Sequence, residues 1–329
     1  MPKLPKVIKN TWRVVAGVAL VMGFDLFMGA TQAKDNISIA TGGTSGTYYP
    51  IGGAIAQAAN KSGTLQVIAE TGKGSVANLN LIGKGEIEVA FAQNDTAFWA
   101  YNGEQMFKSP MKNLRAVAAL YPEHVQVIIA KEARIANIGD LKGKRVSVGA
   151  VGSGVEADVR AIFEVAKLLY DDMVIEHLDF GATTTRFKDN QIDVGFVVAG
   201  FPTASIMDLT TTNDVGLLSF SDDFLDQLTK TYPYFVSSVI PAKTYRGIDW
   251  NTKTPAVMAM LVTHDKVPEK VIYELVKSMF RNLNMIQASH ATARQITLDK
   301  VLNGITIPLH PGARRYYKEK GDWLYWHPL

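Results

Sequence analysis

Four stretches of this sequence share one design, in which a β-branched run leads into small or hydroxylated residues and then into a helical pattern. They are Thr41 to Tyr49 (TGGTSGTYY), Thr71 to Ser75 (TGKGS), Gly149 to Gly154 (GAVGSG) and Ala199 to Thr203 (AGFPT). The first turn of a helix carries unpaired N–H groups and a partial positive charge, and glycine lets another molecule come close to that backbone. The chemistry that such places support is the holding of carboxylates and phosphates. Two of them read G-x-G-x-x-A, at Gly72, Gly74 and Ala77 and at Gly152, Gly154 and Ala157. A dinucleotide site also wants an acidic residue about 20 positions further on, ending the next strand of the same unit. Glu88, Asp95, Asp171, Asp172 and Glu176 are not so placed. The competing reading of each loop is an ordinary capped turn.

Covalent chemistry finds little support. The chain has no Walker G-x-x-x-x-G-K-[ST] and no G-x-S-x-G elbow, and its one S-x-x-K, Ser109 to Lys112, lacks the S-D-N and K-T-G that would accompany it. Six histidines, His124, His177, His264, His290, His310 and His327, never fall at H-x-H or H-x-x-x-H spacing. There is no cysteine, which removes thiol nucleophiles, thiolate zinc sites and disulfides. The sequence therefore predicts no catalytic residue, no metal site and no cofactor.

The elements that must position the loops alternate along the chain. Strand-like runs lie at 37–41, 65–69, 87–91, 115–120, 125–130, 145–149, 174–178, 192–198 and 215–220, with helical patterns at 52–61, 75–84, 154–169, 203–209 and 222–230. This succession reads as parallel α/β. In an open α/β sheet the loops at the carboxyl ends of strands are where ligands collect. Two places look like crossings between lobes: Leu120 to His124, where a run stops at Pro122 and another begins, and Tyr232 to Pro241. The expected domains are a discontinuous first lobe, 34–121 with 240–329, and a second lobe, 122–239. Near the C-terminal end, Pro268 opens a helix to Arg281 whose face of Val271, Ile272, Leu275, Val276 and Phe280 belongs in a core.

Length and charge narrow the function classes. The 329 residues, 47% hydrophobic, suffice for about two domains. Lys3, Lys6, Lys9 and Arg13 against Asp25 already account for the whole chain's net charge of +3. The remaining body is neutral, which argues against a nucleic-acid partner. Those cations precede an apolar stretch, Val14 to Phe24, shorter than the roughly 20 residues that span a bilayer, and the small-residue exit at Thr31 to Ala33. This is the layout of a secretory signal over residues 1–33, cleaved near Ala33, and it predicts a periplasmic product.

Taken as a set, the loops TGGTSGTYYP (Thr41 to Pro50), GSVAN (Gly74 to Asn78), AQND (Ala92 to Asp95), DLKGKRVSVG (Asp140 to Gly149), GSG (Gly152 to Gly154), AGFPT (Ala199 to Thr203) and HPGA (His310 to Ala313) resemble the TAXI family, the solute-receptor subunits of one class of TRAP transporter. The resemblance runs from about Ile37 to beyond Ala313. It implies a type II periplasmic binding protein, two α/β lobes with two crossings and a ligand cleft between them. The implied function is to capture a small carboxylate, glutamate-like or a dicarboxylate such as 2-oxoglutarate, by lobe closure and deliver it to a TRAP membrane permease driven by an ion gradient.

Carried over residue by residue, the resemblance implies a pocket made in the first lobe by Gly43, Thr44, Thr47, Tyr48, Tyr49, Ser75, Val76, Gln93 and Asp95, with Asp95 suited to an amino group. The second lobe would add Ser153, Gly154, Val155, Ala199, Gly200 and Pro202. Three departures stand out: Lys73 interrupts the glycines before Ser75 and would reach a second ligand carboxylate or point to solvent, Val155 replaces a Thr, and Asp158 replaces an Asn. A receptor of the same fold that feeds a membrane sensor, and a secreted α/β enzyme, are the alternative functions.

Overall fold

The computed structural model describes residues 34–321, so the expected signal segment lies outside the described residues. The first lobe opens with β1 (Asp35–Ala40), α1 (Tyr48–Asn60), β2 (Leu65–Glu70), α2 (Ser75–Lys84), β3 (Val89–Gln93) and α3 (Asn94–Asn102). Strand β4 (Leu114–Ala130) runs out of this lobe into the second. There follow β5 (Arg145–Ser147), α4 (Gly154–Ala166), β6 (Val174–Glu176), α5 (Phe180–Lys188), β7 (Val194–Ala199), α6 (Ala204–Thr212), β8 (Val215–Leu217), α7 (Asp222–Thr231) and β9 (Val236–Ile240). Strand β10 (Thr252–His264) returns beside β4, and α8 (Glu269–Arg281), α9 (Leu283–Ala288) and α10 (Pro311–Lys320) complete the first lobe.

The strands form one sheet in the order β2-β1-β3-β10-β4-β7-β5-β6, with β8 on β4 and β9 on β10. Within each lobe the neighbours β1, β2 and β3, and likewise β5, β6 and β7, are parallel. The two long strands between them are antiparallel to each other and to their other neighbours. The wholly parallel sheet expected from the alternation is thus corrected to a mixed one, because β10 does not follow a helical crossover but doubles back along β4.

Pro122 does not end a strand. It sits within β4 opposite Met258, and the ladder absorbs the disturbance by a register shift between Ala259 and Met260. Proline lacks the N–H that a regular ladder needs, so it is tolerated where pairing is already irregular. Nearly every residue of β4 is buried, as fits a central strand with both faces covered. Ile240, Tyr245 and Ile248 pack with Ile128, Val197 and Ile206 in the smaller of the two cores.

Two loops of the first lobe are bound to each other through the backbone. The Gly72 N–H donates to the Gly42 carbonyl at 3.3 Å, and the Thr41 hydroxyl donates to the Glu70 carbonyl at 2.6 Å. The buried Asn78 amide donates to the carbonyls of both Thr41 and Phe91 at 2.8 Å. One side chain in α2 thereby fixes the ends of β1 and β3.

Candidate functional site: a cavity between the lobes

The starts of α1, α2, α4 and α5 open onto one cavity of about 500 Å³. Its first-lobe wall is the loop 42–48 with Gly72, Lys73, Gly74, Ser75 and Gln93, and its second-lobe wall includes Ser153, Gly154, Val155, Phe180, Val198 and Ala199. Neither α1 nor α2 has a side-chain cap at its N-terminus, so the N–H groups of their first two residues have no side-chain acceptor at the cavity wall. At α4 the capping alternative is realised, with Ser153 Oγ accepting the Glu156 N–H at 3.2 Å. Asp179 likewise caps α5 through the Ala182 N–H at 2.8 Å.

The lobes touch directly beside this cavity. The Ala77 N–H, in the first turn of α2, donates to the Gly152 carbonyl at 2.9 Å. Gln93 Nε2 donates to Asp158 Oδ2 at 2.8 Å, again from one lobe to the other. A methyl group on Gly154 would lie 1.5 Å from Gln93 Oε1, so glycine is what permits this approach. Gly74 has φ of 95°, in the left-handed region, and sits against Ser153.

Of the residues the sequence singled out, Gly43, Thr44, Thr47, Tyr48, Lys73, Ser75, Gln93, Ser153, Gly154, Val155 and Ala199 line the cavity. The Ser75 hydroxyl is already engaged, accepting the Gln93 N–H at 3.1 Å and donating to Gln93 Oε1 at 3.3 Å. Five expected residues do not line it. Tyr49 faces an open groove shared with Met285, because it is one helical step round α1 from Tyr48. Val76 packs against the larger core. Gly200 is pressed on Thr292, and the Pro202 carbonyl faces His290. Asp95 is fully buried in the first turn of α3, behind the cavity wall, so it cannot meet an amino group there.

Several lining residues were not anticipated. Glu123, in the middle of β4, is 2% exposed and accepts the Tyr48 hydroxyl at Oε2 over 2.6 Å. Burial pushes its carboxyl up to about 8, opposed by the Tyr48 hydrogen bond and assisted by the charge of Asp95. At neutral pH Glu123 is therefore mostly a neutral acid with an O–H to donate. His177 and Asp179, at the second-lobe rim, also line the cavity. Among these only Asp179 had a local signal, since it precedes a helix start as an N-cap does.

Tyr48 sits on Phe91 with ring centroids 4.8 Å apart, and Tyr121 donates to Thr47 Oγ1 at 3.2 Å. The cavity thus presents uncapped amides, the neutral carboxyl of Glu123, Lys73, the rings of Tyr48 and Phe180 and, at its rim, His177 and Asp179. It can hold a small anion without burying an uncompensated charge.

Comparison with known proteins bears on the fold. Solved structures that resemble the chain include MatC from Rhodopseudomonas palustris with bound malate, 11% identical, covering 88% of this chain and 97% of that one at a TM-score of 0.56. A protein described as a periplasmic transporter is 12% identical over 88% of this chain and 94% of its own, with a TM-score of 0.53. A protein of Bordetella bronchiseptica RB50 is 18% identical over 88% and 81%, with a TM-score of 0.51. The fold is that of the α/β periplasmic binding proteins. A family model described as the NMT1-like family matches residues 39–321, nearly all of the described chain, and the protein belongs to that family.

Proposed function

We propose that the protein is a periplasmic solute receptor that closes two lobes on a small carboxylate and hands it to a membrane transporter. The observation that carries this reading is the opening of helix starts from both lobes, two of them uncapped, onto a single cavity of about 500 Å³. Helix N-termini favour negative charge, and donors on both walls reward closure around an anion. The size suits a solute of amino-acid or dicarboxylate dimensions.

Within that class, the solute is glutamate-like or a C4 to C5 dicarboxylate such as 2-oxoglutarate. Lys73 at the cavity wall offers a counter-charge for a second carboxylate, and the neutral Glu123 offers a hydrogen-bond donor. Asp179 takes the place that Asp95 had been expected to fill, as the acid that faces an amino group. The malate held by MatC, whose fold is similar, supports a dicarboxylate. The reading of the transporter as a TRAP permease rests on the loop motifs that resemble the TAXI receptors.

A thermal-shift panel on ligand-stripped protein tests the proposal with L-glutamate, L-glutamine, 2-oxoglutarate, L-malate, acetate, an alkanesulfonate and neutral sugars. Carboxylates are expected to raise the melting temperature most. Stabilisation by sugars or sulfonates alone would overturn the assignment.

A further inference from the structure

Two carboxyl groups from opposite lobes meet behind the cavity. Asp95, in the first turn of α3, and Asp158, in the second turn of α4, are both fully buried and lie within hydrogen-bonding reach of each other. Gln93 Nε2 occupies Asp158 Oδ2, but both oxygens of Asp95 and Oδ1 of Asp158 have no donor. The N–H groups of Asp95 and Thr96 lie near the Asp95 carboxyl without reaching hydrogen-bonding geometry.

We propose that Asp95 and Asp158 form a proton-sharing clasp across the seam between the lobes, so that closure takes up a proton and is favoured by acid. Two adjacent buried carboxylates cannot both stay ionised, and a single proton between them supplies the missing donor. Opening carries α4 away from α3, returns both groups to water and releases the proton. The pair is a device of lobe closure and does not touch the solute, so the proposal needs only that the lobes open and close, not that the solute is a carboxylate.

The surroundings reinforce the direction. Burial raises both acids above the ordinary carboxylate range, and the charge of Asp95 raises Asp158 further. From β4, Glu123 raises Asp158 and is itself raised by the charge of Asp95, and beyond it stand Tyr121 and, from α1, Tyr48. Tyr234, ahead of β9, feels Asp95 as well. From β3, Gln93 contributes an amide without charge. Among the described residues no Lys, Arg or His acts on either acid, and no three His, Asp or Glu side chains are grouped to hold a metal ion.

The chain has no cysteine, so labels on Lys61→Cys in the first lobe and Asp171→Cys in the second report interlobe distance by energy transfer. The measurement is made without added solute from pH 8 to pH 5, in choline chloride and again in sodium chloride. The closed-to-open ratio is expected to rise as pH falls, by up to about tenfold per pH unit for one proton. Asp95→Asn and Asp158→Asn, checked for folding by circular dichroism, are each expected to flatten that slope, whereas Asp208→Asn, at an exposed position of α6, retains it, and Glu123→Gln is measured beside them.

A constant efficiency in the parent protein, or a slope that survives both Asn variants, overturns the proposal. So does a slope lost only in Glu123→Gln, which would put the proton on that residue. A response to sodium in place of pH would mean a cation between the carboxyls and would also overturn it. Failure of the solute panel, by contrast, would remove the carboxylate assignment and leave the clasp standing.

Discussion

The hydroxyl of Tyr48 lies 2.6 Å from Glu123 Oε2 and donates to it, joining the first helix of one lobe to the strand that crosses between the two. Both residues line the cavity, and both are buried. This bond stabilises the charged form of a glutamate whose burial opposes charge, so the two effects pull its titration in opposite directions.

The pH dependence of stability follows from that balance. Glu123 titrates at about 8 in the folded protein and near 4.5 when unfolded, so folding binds a proton between those values. Its contribution is fully present below about pH 4.5 and is lost as pH rises through 8, by at most about 1.4 kcal/mol per pH unit. Glu123→Gln is expected to remove this part of the slope in urea denaturation from pH 5 to pH 8. Tyr48→Phe deletes a bond that lowers the Glu123 value, and so should extend the decline to higher pH.

Gly154→Ala tests the contact between lobes. The added methyl forces Gln93 from its place between Ser75 and Asp158, while the helix in the separated lobe tolerates alanine well. The cost of about 1 to 3 kcal/mol falls on the closed form and predicts a loss of affinity of roughly 5- to 150-fold by titration calorimetry. Unchanged affinity would mean that closure does not bring Gly154 against Gln93.

Ser75→Ala leaves the buried N–H of Gln93 without its acceptor, at about 1 to 3 kcal/mol. Both stability and solute affinity should fall, because Gln93 loses the partner that orients it toward Asp158. A variant that loses affinity for carboxylates but keeps its melting temperature would point instead to direct solute contact by the hydroxyl.

Asp179→Asn keeps a residue able to cap α5 but removes a charge from the cavity rim. Selectivity between L-glutamate and 2-oxoglutarate is expected to move toward the latter by roughly fivefold or less, since exposed charges interact weakly. No change in that ratio would show that the amino group of glutamate, if bound, lies elsewhere.

The loops of the site were legible because glycine, serine and threonine after an apolar run carry their meaning locally: α2 begins at Ser75 and α4 at Gly154, as read. Strand β10 was not, since Pro255 and the alternation of alanine and methionine in Thr252–His264 give little β signal, and only its place between β3 and β4 makes it a strand. Helices α3 and α5 were missed as well, each being nine residues long and weakly patterned. The gravest omission was Glu123. Between Pro122 and His124 the sequence reads as a crossing where one run stops and another begins, and nothing local says that a single strand continues through Glu123 and buries it beneath Tyr48. Asp95 failed for the complementary reason: its type suited an amino group, but the fold turns it away from the cavity toward Asp158.

The adjacency of β4 and β10 governs how the halves can travel. Two antiparallel strands bonded edge to edge make a ribbon, which bows readily across its thin dimension and strongly resists shear within its plane. The halves should therefore rock like tweezers about Tyr121 to His124 and Ala256 to Ala259, with little swivel. Glu123, riding on that pivot, should move least of all the lining residues. An incoming guest would meet this stationary floor before the walls fold over it, so docking and enclosure become separable events in time.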